Sequence, residues 1–158
     1  MALEDMKVFQ DFAYRAATET LRQNTEAFNE ASGNAIRLAA NTGFSLHLIR
    51  PLGFTLDDRR MRRAGLDYSE FASMRVHSDY ETFLAEAGVN PGRVFGISTK
   101  GQTGHHEAAF QPGDTLVFGP ETRGLPDAVL NSLPEGHCLR IPMLPERRSL
   151  NLSNAASI

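Results

Sequence analysis

The hydrophobic pattern of the chain changes character at Gly33. Residues 1–32 contain neither proline nor glycine and are rich in Ala, Glu, Gln and Arg, mostly good helix formers. Met6, Phe9, Ala13, Ala16 and Ala17 fall at helical spacing, and Leu21 and Phe28 follow seven apart. The pattern predicts a long amphipathic N-terminal helix that frays over residues 29–33. Its polar face is mixed in charge rather than basic, which suits a packing or partner-binding helix and not a membrane anchor.

From Gly33 the pattern alternates between helix and strand, and residues 33–158 read as one domain. Residues 34–41 predict a short helix ended by Gly43 at a C′ position. Residues 45–50 (SLHLIR) predict a strand stopped by Pro51, 58–65 a short helix, and 73–77 a short strand. Asp79 is placed to cap a helix through Ala87, with Tyr80, Phe83 and Leu84 facing inward. Residues 93–99, 115–119 and 139–143 read as strands, with a helix over 128–133 opened by Pro126. Strands separated by helices point to an α/β fold: a mostly parallel sheet with helices on both faces.

Composition narrows the setting. With 158 residues, 41% hydrophobic and 22% charged, the chain suits a single soluble domain with a real core. No apolar run is long enough to span a membrane, and the opening MALEDMKVFQ lacks the basic start and apolar middle of a signal peptide. The one cysteine, Cys138, cannot form an internal disulfide and sits in a strand-like run, as a buried thiol would. A reducing cytoplasm is the expected location. The net charge of −3 argues against strong non-specific nucleic-acid binding by the whole surface. Local basic sites remain: Arg59, Arg60, Arg62 and Arg63, then Arg147 and Arg148. The first cluster also reads as a solvated helix face with Asp57 and Asp58 at its N-terminus.

Several chemistries can be set aside. Residues 119–124 have the glycine spacing of a P-loop, but Leu125-Pro126 follows where Lys and Ser/Thr are needed to hold phosphate. No GxGxxG follows a strand, there is no Gly-x-Ser-x-Gly, and Cys138 has no evident activating neighbour. His105-His106-Glu107 lacks further matching ligands; adjacent histidines on a strand would point to opposite faces, so a metal site is not expected.

Three corners rich in Gly, Asn or Pro remain: Gly33-Asn34 leading to Arg37, then Phe118 to Gly124, then Pro142 to Asn154. Each frees backbone amides and carbonyls that can bond the edges of a neutral heterocycle, with Ile97, Ile141 and Leu144 available to cover its faces. Taken singly, each corner reads first as a tight packing loop.

Together they carry a resemblance. GNAIRLAANTGFSLHLIRPLGF (33–54), RRAGLDY (62–68), LVFGPETRGLP (116–126) and RIPMLPERRSLNLSNAASI (140–158) resemble the SPOUT-class, trefoil-knotted RNA 2′-O-ribose methyltransferases. RRAGLDY is similar to the subfamily that methylates the wobble nucleotide of tRNA, cytidine or modified uridine at position 34. The resemblance implies a SPOUT α/β-knot, S-adenosylmethionine as cofactor, no metal, a homodimer, and the tRNA anticodon stem-loop as partner. It places Ile97, Gly119, Ile141 and Ser149 at cofactor-contact positions. Arg37 matches the arginine placed near the reacting ribose, and Glu121 and Asn154 match catalytic polar residues. An arginine stays protonated in proteins, so its implied role is to stabilise charge and position phosphate rather than to act as a base.

Two departures from that family stand out. The family opens with a short strand and a Pro-Asn-Thr-Gly-Asn turn, where this chain has helix-like residues 1–32 and Ala31 in place of the first asparagine. The family also continues into a C-terminal helix, of which Ile158 leaves about one turn. Two expectations follow: an active wobble methyltransferase, or an impaired relic or chimera serving as a cofactor- or protein-binding module.

Overall fold

The computed structural model describes residues 16–19, 25–50, 74–120, 123–146 and 150–158. These form a seven-stranded sheet in the order β3-β2-β1-β6-β4-β7-β5. Its strands are β1 (Ala16–Glu19), β2 (Leu46–Ile49), β3 (Met74–His77), β4 (Val94–Ile97), β5 (Thr103–Gly104), β6 (Thr115–Phe118) and β7 (Cys138–Arg140). Every neighbouring pair is parallel. The helices are α1 (Thr25–Thr42), α2 (Tyr80–Glu86), α3 (Asp127–Ser132) and α4 (Leu152–Ala156).

Parallel strands need helical crossovers, and crossovers bury both sheet faces. Alternation along the strands sorts the core accordingly. On one face Ile49, Val94 and Val117 pack with Phe83, Leu125 and Val129 from α2 and the α3 region. On the other, Leu46, Leu48 and Phe118 pack with Ile36 and Ala39 of α1, and Leu152, Ala155 and Ala156 of α4 lie against them. All four residues of β2 are consequently buried.

Local rules hold at several expected boundaries. Gly43 takes φ +76° just past α1, the left-handed stop that only glycine adopts without strain. Asp79 caps α2 by accepting from the Thr82 N–H at 2.7 Å. Phe83 is fully buried, with Tyr80 and Leu84 packed beside it. Pro126 stands one residue earlier than expected, at the N-cap of α3.

The N-terminal region corrects the helix expected over residues 1–32. Ala16–Glu19 is a strand, bonded between two neighbours: Ala17 is in register with His47 on one side and Val117 on the other. The helical bias of Ala and Glu is at most about 0.7 kcal/mol per residue, less than the gain from pairing backbone groups along both edges of a sheet's interior. A core strand is therefore present where helix-like residues were expected to displace one. The helices expected on either side of residues 29–33 are one helix, α1, which runs through a buried Gly33. The helix expected over 58–65 and residues 1–15 lie outside the described residues.

Candidate active site

Strands β4, β6 and β7 are adjacent and parallel, so their C-terminal ends open on one edge of the sheet. Each then breaks sharply. After β4 the chain turns at residues 98–101: the Gly101 N–H donates to the Ser98 carbonyl at 3.1 Å, and the Lys100 N–H to Ser98 Oγ at 3.2 Å. The Ser98 N–H donates to the Leu139 carbonyl at 2.8 Å, which ties this turn to β7. After β6 comes Gly119-Pro120, and the Gly124 N–H returns to the Pro120 carbonyl at 2.8 Å. After β7, Ile141 leaves the sheet because Pro142 has no N–H to continue a ladder; the strand expected over 139–143 ends at Arg140.

These turns and α4 enclose a cleft of about 360 Å³. That lies within the range of roughly 300–1,000 Å³ typical of small-molecule sites, at the strand ends where open α/β sheets bind ligands. Ile97, Phe118, Leu125, Ile141 and Leu152 supply apolar wall, and Lys100 and Arg123 supply cations. Gly119 forms part of the wall by close backbone approach: a Cβ there would lie 2.5 Å from the Gly124 carbonyl oxygen. A flat, neutral ring with polar edges fits such a wall of apolar side chains and exposed backbone.

The residues expected at the cofactor divide clearly. Ile97, Gly119 and Ile141 come together in this cleft. Ser149 and the catalytic candidate Glu121 lie outside the described residues, as do Arg147, Arg148 and the arginines of 59–63. Arg37 is exposed on α1 and Asn154 is exposed on α4; neither lines the cleft. The two helices pack together, and Leu152 and Ala155 of α4 line the cleft from the same helix that carries Asn154. Asn151 fixes the start of α4, accepting from the Ser153 N–H at 3.0 Å and the Ser153 hydroxyl at 2.6 Å.

Other expectations change. Leu144 is 70% exposed and does not line the cleft; Leu125 and Phe118 cover it instead. Residues 105–107 form a 3₁₀ turn, in keeping with the surface or loop role expected of them, closed by the Gly104 N–H donating to Glu107 Oε1 at 2.8 Å. Among the described residues no group of His, Cys, Asp or Glu could hold a metal ion. Among them, too, no helix is long and apolar enough to cross a membrane. Cys138 is half-buried, and burial raises its thiol pKa, with Lys100 acting in the opposite sense.

The family model described as the SpoU rRNA methylase family matches residues 26–158. The chain belongs to the SpoU methylase family. A relative from Photorhabdus asymbiotica named tRNA (cytidine(34)-2′-O)-methyltransferase is 55% identical over 130 residues, covering 80% of each chain. A solved structure from work on 2-OH methylation of C/U34 on tRNA superposes with a TM-score of 0.71 at 42% identity, over 90% of this chain and 89% of that one. The SpoU methyltransferase AviRb from Streptomyces viridochromogenes, solved in complex with the cofactor AdoMet, shares the fold: its TM-score is 0.69 at 24% identity, over 99% of this SpoU methylase and 60% of that chain. A second, shorter model, described as major capsid protein 13-like, matches residues 5–44 and overlaps the first only at its start.

Proposed function

We propose that this chain methylates the ribose 2′-hydroxyl of the wobble nucleotide, position 34, in tRNA, with S-adenosylmethionine held in the β4–β6–β7 cleft. The observation that carries the reading is the convergence of Ile97, Gly119 and Ile141 on one cleft at three strand ends. The naming of the 55%-identical relative supports the choice of tRNA and of the wobble position. When bound, S-adenosylmethionine supplies an electrophilic methyl on a sulfonium.

The chain's own residues then have to position and stabilise. Ile97 and Ile141 would cover the faces of the adenosine and the backbone at Gly119 would bond its edge, with Ser149 assigned to the same cofactor by the family resemblance. Arg37, permanently protonated, offsets the charge that develops on the ribose oxygen and holds the adjoining phosphate. Glu121 and Asn154 orient the hydroxyl, so that the reacting atoms meet in line. The protein acts as a cytoplasmic homodimer and needs no metal. The segment matched by the capsid model ends at residue 44, just past α1 and upstream of every residue of the cleft.

The test is transfer of labelled methyl from S-adenosylmethionine to tRNA lacking the wobble modification, followed by nucleotide mapping. Label in 2′-O-methylated nucleotide 34 is the expected result. Folded protein that binds the cofactor product but leaves position 34 unmodified would return the chain to the class of cofactor-binding modules.

A further inference from the structure

The cleft's apolar walls suit the adenosine but not the charged amino-acid arm of the proposed cofactor, whose α-carboxylate, unlike its α-ammonium, calls for a cation. An unpaired carboxylate at the edge of an apolar site is costly, so a cation there has a purpose. Lys100 lines the cleft, as does Arg123 on the turn after β6. Lys100 is three residues beyond Ile97, at the end of the same strand.

Its backbone is closely held. Ser98 accepts from the Lys100 N–H through its hydroxyl and from the Gly101 N–H through its carbonyl. Gly101 is pressed on β7, where a Cβ would lie 2.5 Å from the Leu139 carbonyl carbon. The ammonium, by contrast, is exchangeable. Lys100 Nζ bonds Asp127 Oδ1 at 2.9 Å, with both side chains mostly exposed, 63% and 80%. Exposed pairs of this kind are weak, so a second oxyanion can take the lysine from Asp127 at little cost.

We infer that Lys100 is the carboxylate-binding residue of the cleft: it leaves Asp127 and pairs with the α-carboxylate of the amino-acid arm of the cofactor. Arg123 adds positive field at the same site. The assignment rests on the cofactor reading above. An RNA phosphate is the competing source of an oxyanion, but Lys100 stands on the turn that closes the cofactor cleft rather than on an outer helix face.

S-adenosylhomocysteine, which carries this carboxylate, and 5′-methylthioadenosine, which lacks it, separate the outcomes by calorimetry. Lys100→Met keeps the aliphatic wall and removes the charge. It should weaken S-adenosylhomocysteine about tenfold or more and leave 5′-methylthioadenosine unchanged, with Lys100→Arg restoring most of the loss. An equal loss for both nucleosides, or no loss for either, overturns the assignment. So does normal S-adenosylhomocysteine binding with weakened tRNA binding, which would make Lys100 a phosphate contact. Failure of the unaltered protein to bind either nucleoside overturns the cofactor reading itself and this assignment with it.

Discussion

Gly119 and Gly124 meet backbone to backbone across the turn after β6, close enough that no side chain fits between them. The contact makes one wall of the cleft out of peptide groups, and Gly124 completes the turn at φ +69°. A methyl at position 119 has only backbone to push against, and backbone yields by moving the whole turn. Gly119→Ala is therefore expected to cost about 1–3 kcal/mol of stability and to weaken S-adenosylhomocysteine binding at the same time. Chemical denaturation and calorimetry read the two effects. A variant with unaltered affinity would show that the wall does not touch the ligand.

A second expectation concerns acid. The Thr82 hydroxyl and backbone N–H, with the Ser78 hydroxyl, hold the Asp79 carboxyl below its ordinary pKa. A carboxylate whose pKa falls on folding stabilises fully above its unfolded value, about 3.9, and the contribution is lost as pH drops through the folded value. Asp79→Ala should thus melt a few degrees lower than the unaltered protein near neutral pH, and the gap should shrink at about pH 3. A gap that widened in acid would mean that the cap does not act through its charge.

Most of the described helices and strands after Gly43 were legible because burial on both sheet faces leaves short apolar runs bounded by Gly, Pro and Asp, as at LHLI and TLVF; the two-residue β5 has no such run. The corners at 118–124 and 142–154 were legible as strand breaks, whereas the four cofactor positions came from the resemblance to the family. What escaped was set by tertiary context. Ala16–Glu19 has helix-forming composition and is a strand only because β2 and β6 flank it. Lys100 and Arg123 look like ordinary turn cations until the fold brings both to one cleft. The pairing of Arg93 with the buried Asp114, at 2.7 Å through Nε, joins residues twenty-one apart with no local signal.

The placement of β1 makes its own prediction. Proline at position 17 has no N–H to donate, in a strand bonded on both edges. Ala17→Pro should cost on the order of 1–3 kcal/mol for a lost buried hydrogen bond. Ala17→Val, which suits a strand, should be tolerated better than in a helix. Denaturation midpoints for the pair distinguish the two. Equal stability for Pro and Ala at this position would remove β1 from the sheet.

Arg37 separates chemistry from cofactor binding. It lies exposed on α1, outside the lining of the cleft, on a helix whose other face packs against the sheet and α4. Removing its side chain should leave stability within about 1 kcal/mol and S-adenosylhomocysteine affinity unchanged. If the guanidinium stabilises charge on the ribose oxygen, Arg37→Ala should nevertheless lower methyl transfer by about 100-fold or more. Lysine at the same place restores charge without the planar fork, so Arg37→Lys should recover only part of the rate. Single-turnover transfer to tRNA measures this directly. A full rate in Arg37→Ala, or a loss explained by weaker cofactor binding, would end the role assigned to it.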